Sequence, residues 1–165
     1  MARIIGFPNP VNEKAARTVA AGVLTVSVAA LVLSTTASRS WLWLVAVLVA
    51  GFVARVLTGP RLSPLGQFAT KIVAPRLGKP KLVPGPPKRF AQGIGSVLTL
   101  AGVLFLLIGH PALTEAVLML TIFAAGLESI FAYCIGCKIF SALMRLGLIP
   151  EKTCAACGNL ALRGV

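Results

Sequence analysis

The sequence predicts an all-α integral membrane protein of four transmembrane helices, with a short amphipathic interfacial helix in the central cytoplasmic loop. Three observations carry that reading. Hydrophobic residues make up 57% of the chain and charged ones only 12%, far from the composition of a water-soluble domain. Apolar stretches recur at close to the ~20 residues that cross a hydrocarbon core at 1.5 Å per residue. Sixteen Lys and Arg face four acidic residues, for a net charge of +12, and most of that charge lies between the apolar stretches. The 165 residues read as a single four-span domain.

Pro8 and Pro10 keep the polar lead-in from starting a helix early. Residues 18–37 carry no charge and form the first span. Thr35 and Ala37 have the spacing of a signal-peptide cleavage site, but the apolar core exceeds a signal peptide's and further spans follow, so the segment is read as retained. A turn around Arg39 leads to the second span, 41–57, where Trp41 and Trp43 are interface anchors and Arg55 lies near the inner end.

Residues 58–89 form a basic, proline-rich loop with no acidic residue. Ser63 and Pro64 make an N-cap and first helical residue, and Leu65, Phe68, Ala69, Ile72 and Val73 recur at helical spacing. This predicts a short helix lying on anionic headgroups. From Pro75 onward the prolines at 80, 84, 86 and 87 predict an extended strap. The third span, 90–109, carries a small-residue ridge of Ala91, Gly95 and Thr99. His110 and Pro111 mark a turn, and the fourth span covers 112–135, with Glu128 well inside it. Its apolar pattern continues through Ile139, Phe140 and Met144 as one helix, until Gly147 and Pro150 open a tail at 146–165.

With four spans, only Arg39 of the sixteen basic residues lies on the short-turn side. The positive-inside rule therefore predicts that the central loop, both termini and all cysteines face the cytoplasm. The basic residues do not interleave with aromatics as a base-stacking platform would, so nucleic acid is excluded as a partner. Counting rise along the helices puts Arg55, Gln92 and Glu128 at one depth, and predicts an intramembrane Arg55–Glu128 ion pair with Gln92 beside it.

The chemistry-bearing residues are the cysteines, in two Cys-x-x-Cys pairs: Cys134 with Cys137, and Cys154 with Cys157. On a helix, positions i and i+3 share a face, which suits a reversible dithiol. Lys138 favours the Cys137 thiolate, whereas a helix C-terminus at Cys134 would disfavour ionisation there. The combined spacing, C-x2-C-x16-C-x2-C, also fits tetrahedral zinc, the one cofactor it allows. Glu128 and Cys137 lie about half a helical turn apart, so one straight helix cannot aim both at one point. No catalytic Ser/His/Asp set, phosphate loop or carboxylate pair is present.

The segments FPNPVNEKAAR, GPRLSPLG, PGPPKRFAQGIG and YCIGCKIFSALMRLGLIPEKTCAAC resemble the bacterial membrane family termed domain of unknown function 4395. The resemblance implies a small multi-span helical protein of the bacterial cytoplasmic membrane. It also implies an association with thioredoxin-like or sulfur-transfer proteins, through Cys134 and Cys137, with Cys154 and Cys157 as an accessory pair. The expected function is a cytoplasmic-face dithiol exchanging electrons or sulfane sulfur with a thioredoxin-like or rhodanese-like partner. The competing expectations are a zinc-stapled scaffold or assembly factor, and a small solute carrier built on Arg55, Gln92 and Glu128, completed by a homo-oligomer.

Overall fold

The computed structural model describes residues 7–150. A two-residue strand, β1 (Val11–Asn12), leads directly into α1 (Glu13–Thr36), whose first turn is capped by the Asn12 side chain accepting the Lys14 N–H at 3.1 Å. A tight turn at Arg39–Trp43 delivers the chain to α2 (Leu44–Thr58). The central loop then holds α3 (Pro64–Phe68), which runs through a widened turn at Ala69–Val73 into α4 (Ala74–Arg76). After β2 (Leu82–Val83) come α5 (Gly85–Leu107), α6 (Pro111–Phe131) and α7 (Ile135–Arg145). Among the described residues, four segments are long and apolar enough to cross a membrane: α1, the Arg39–Thr58 segment containing α2, α5 and α6. The molecule is an all-α membrane protein.

In the bundle, α1 packs along α6, and α2 along α5. The core gathers Val23, Ala30, Leu42, Val45, Leu48, Phe52, Leu118 and Ala125, while Val97, Leu104, Met119, Leu120 and Phe123 stay exposed on the outside. Apolar side chains on the outer surface are what a lipid-facing helix presents. The small-residue ridge of α5 does what its spacing implies. Gly95 lies under the Phe52 ring of α2, and a Cβ on Gly136 of α7 would stand 2.6 Å from the Ala91 Cβ.

Two expectations about the central loop need correction. The residues after Pro75 do not remain an extended strap throughout. Leu82 and Val83 pair antiparallel with Asn12 and Val11, Lys81 binds Glu13 at 2.9 Å, and the Asn9 side chain accepts the Gly85 N–H at 3.0 Å. These bonds set the starts of α1 and α5 side by side. The helix that carries the third span begins at Gly85, inside the stretch expected to be strap, because Pro86 and Pro87 fall in a first helical turn, where no N–H is needed. A short helix does form after Ser63, as α3 with its continuation: Leu65 and Ala69 pack inward, and Phe68 and Ile72 remain exposed.

Candidate functional site

The fourth span does not continue into the cysteine segment as one helix. The α6 helix ends at Phe131, Ala132 takes a left-handed conformation at φ 57°, and α7 begins at Ile135. A contact from another helix accompanies the break. Arg17 of α1 donates to the Ser129 carbonyl at 3.1 and 2.9 Å, and to the Ile130 carbonyl at 3.0 Å. In a continuous helix those carbonyls would accept the amides of Tyr133 and Cys134. With the guanidinium on them, the Tyr133 N–H turns to the Leu127 carbonyl at 3.1 Å and the chain bends.

The bend decides which kind of helix end Cys134 occupies. Instead of closing one helix, Cys134 is the N-cap of the next, and its Sγ accepts the Cys137 N–H at 3.4 Å. The Cys137 thiol donates to the same sulfur, with the two Sγ atoms in close contact. A helix N-terminus favours negative charge on its cap. The hydrogen bond from the Cys137 thiol holds Cys134 below the usual thiol range, against burial and the Glu128 charge, with Lys88 and the Cys137 amide assisting. The bond it donates, together with burial, pushes the Cys137 thiol well above that range. Cys134 is buried at 8% exposure, and Cys137 is partly exposed.

Two acidic and basic partners complete the site. Lys88, in the opening turn of α5, donates to Glu128 of α6 at 2.5 Å, with the side chains 10% and 15% exposed. Ala91, one turn further along α5, meets Gly136, so the close α5–α7 approach sets Lys88 beside the dithiol. Phe140 stacks on Phe90 with centroids 5.5 Å apart and fixes α7 against the same helix. Because α7 turns back at Ala132, Glu128 and Cys134 do reach one place, and both line a cavity of ≈ 130 Å³ between the helices. Cys137, the residue that the straight-helix count set apart from Glu128, does not line this cavity.

The predicted Arg55–Glu128 ion pair is not formed. Arg55 donates to Gln92 Oε1 at 2.8 Å and to Ser63 Oγ at 3.3 Å, and stacks over Phe52 at 4.7 Å. The depth count placed Arg55 and Gln92 correctly, while Glu128 takes Lys88 as its partner. Sequence reasoning missed Lys88 because it assigned the residue to the polar loop. The available signal was the Pro-Gly-Pro-Pro run immediately before it, a plausible helix start.

As a metal site the first pair does not fit as it stands. Tetrahedral zinc takes four ligands, and Cys134 and Cys137 supply two. Cys154 and Cys157, the other predicted ligands, lie outside the described residues. Among the described residues no group of three His, Cys, Asp or Glu side chains converges.

The profile of the family described as Domain of unknown function (DUF4395) matches residues 11–145. The chain belongs to the DUF4395 family. No curated protein and no solved structure is significantly similar to it. The matched region of this DUF4395 protein runs from β1 to the end of α7, and so contains Cys134, Cys137, Lys88 and Glu128.

Proposed function

We propose that this protein is a membrane-bound dithiol whose Cys134–Cys137 pair undergoes reversible thiol–disulfide exchange with a soluble thioredoxin-like or rhodanese-like protein. The observation that carries the reading is the capping geometry: Cys134 Sγ accepts both the amide and the thiol of Cys137 at the start of α7. The two sulfurs then divide the work. Cys137 is the sulfur a protein partner can reach. When a partner thiolate attacks Cys137 in the disulfide, Cys134 departs as the stabilised thiolate, and a lower-pKa thiol leaves faster. The partner's second thiolate attacks its own sulfur in the mixed disulfide, forms the partner's disulfide and frees Cys137. For a rhodanese-like partner the transferred group is sulfane sulfur, carried as a persulfide on the same sulfur.

The same reading sets the protein in the bacterial cytoplasmic membrane with its termini, central loop and dithiol on the cytoplasmic side, as the distribution of basic residues supports. Phe68 and Ile72, exposed on the central-loop helix, then enter the headgroup layer of anionic lipid. Redox titration of the purified full chain with oxidised and reduced dithiothreitol, followed by maleimide trapping and peptide mapping, is expected to give a reversible Cys134–Cys137 disulfide. Cys134→Ser and Cys137→Ser should each abolish it. If a Cys134→Ser/Cys137→Ser double variant restores a deletion strain as well as the natural sequence does, the proposal is wrong.

A further inference from the structure

The ≈ 130 Å³ cavity beside the dithiol is walled by the four apolar helices α1, α2, α5 and α6 together with the start of α7. Its walls include Val23, Phe52, Ile94, Leu98 and Ile139, and Ile94 and Ile139 are also 38% and 42% exposed on the outside of the bundle. The rim is therefore apolar on its outer side. Cys134 lines the cavity and Cys137 does not. Gln92 lines it too; its Oε1 is held by Arg55, while its Nε2 makes no hydrogen bond among the described residues. The volume is close to the ~150 Å³ of an apolar cavity that takes up one benzene ring.

A dithiol releases electrons in pairs, so a membrane-borne acceptor must take two electrons, fit as one ring and enter from lipid. We infer that the cavity binds the ring of an isoprenoid-type quinone, which the Cys134–Cys137 dithiol reduces to the quinol. The inference rests on the dithiol reading above and names its second substrate. The Cys134 thiolate adds to a ring carbon, forming a C–S bond while an electron pair moves onto a ring oxygen. Cys137 then attacks Cys134 Sγ; the S–S bond forms, the C–S bond breaks, and its electron pair stays on the ring. One proton reaches the quinol from the Cys137 thiol. The second comes from the Lys88 ammonium by way of Glu128, which accepts its hydrogen bond and lines the cavity, and is replaced from water, matching the proton Cys134 released when it ionised. Gln92 Nε2 supplies a hydrogen bond to a ring oxygen. Across a full turn, two electrons pass from a soluble dithiol through Cys137 and Cys134 to the quinone.

The test uses the reduced full chain in detergent and in lipid vesicles, with decyl-benzoquinone as the probe and oxidised dithiothreitol as the soluble comparison. One quinol per Cys134–Cys137 disulfide is expected, followed by absorbance and peptide mapping, with none from Cys134→Ser. Ala124→Leu, which fills the cavity, should lower the ratio of quinone to dithiothreitol rates by about tenfold or more, the effect of ~1.4 kcal/mol. Gln92→Leu should raise the quinone KM by about tenfold through loss of one hydrogen bond. Oxidation by dithiothreitol without any by quinone would overturn the inference and leave the dithiol reading intact. A stable quinone thioether in place of quinol, or equal quinol formation by Cys134→Ser, would also overturn it. Inertness toward both oxidants would defeat both readings.

Discussion

Two buried polar clusters lie in neighbouring parts of this bundle, and they are built on opposite plans. Around Arg55, at 5% exposure, neutral acceptors from α2, α5 and the central loop converge: Gln92, Ser63 and the Phe52 ring. One guanidinium nitrogen, Nη2, has no partner among the described residues. That cluster contains no thiol, and Arg55 does not line the cavity, which of this cluster only its partners Gln92 and Phe52 reach. Around Cys134, a lysine and a glutamate neutralise each other and a nucleophilic sulfur caps a helix beside an open volume. The first arrangement ties α2, α5 and the loop together. The second has the parts for chemistry, and the contrast shows that buried charge alone does not identify a site.

The comparison can be broken by removing one cation at a time. Lys88→Met should have the largest effect, because it strands the Glu128 carboxylate among helices. Breaking a buried pair in this way costs about 3–5 kcal/mol, measurable by thermal and denaturant unfolding in detergent. It should also change reactivity. The Cys137 hydrogen bond is the main reason Cys134 ionises easily, but Lys88 contributes, so without Lys88 the pH midpoint for Cys134 alkylation should rise. At a fixed neutral pH the thiolate fraction then falls and alkylation slows. Arg55→Met should cost less, about 1–3 kcal/mol, as an unsatisfied Gln92 oxygen and lost packing. Its alkylation midpoint should match the natural protein's; a midpoint that moves as far as in Lys88→Met would merge the two clusters into one.

The smallest effect is expected at the hinge. Ala132 holds φ 57° without being glycine, a conformation that costs an L-residue about 1–2 kcal/mol. Ala132→Gly should therefore raise stability by up to about 1 kcal/mol, with the dithiol still capped and the alkylation midpoint unchanged. A lowered stability would mean that the Ala132 methyl group contributes packing that outweighs the backbone strain.

Composition and spacing alone determined the membrane class, the four spans and the Cys-x-x-Cys pair, because hydropathy and helical length act locally along the chain. The depth count also paired Arg55 with Gln92, since a rise of 1.5 Å per residue is fixed by the helix itself. The partner of Glu128 was not legible in the same way. Depth says which residues are level, but the rotation of each helix says which of them meet, and that rotation is set by packing such as Gly95 under Phe52 and Ala91 against Gly136. The cap at Cys134 was further out of reach. Arg17, from a helix more than a hundred residues earlier, takes the carbonyls that would have continued α6 past Phe131. Tertiary structure thus turned a cysteine expected within one continuous helix into the cap of another, and brought Cys134 to the same cavity as Glu128, which Lys88 pairs.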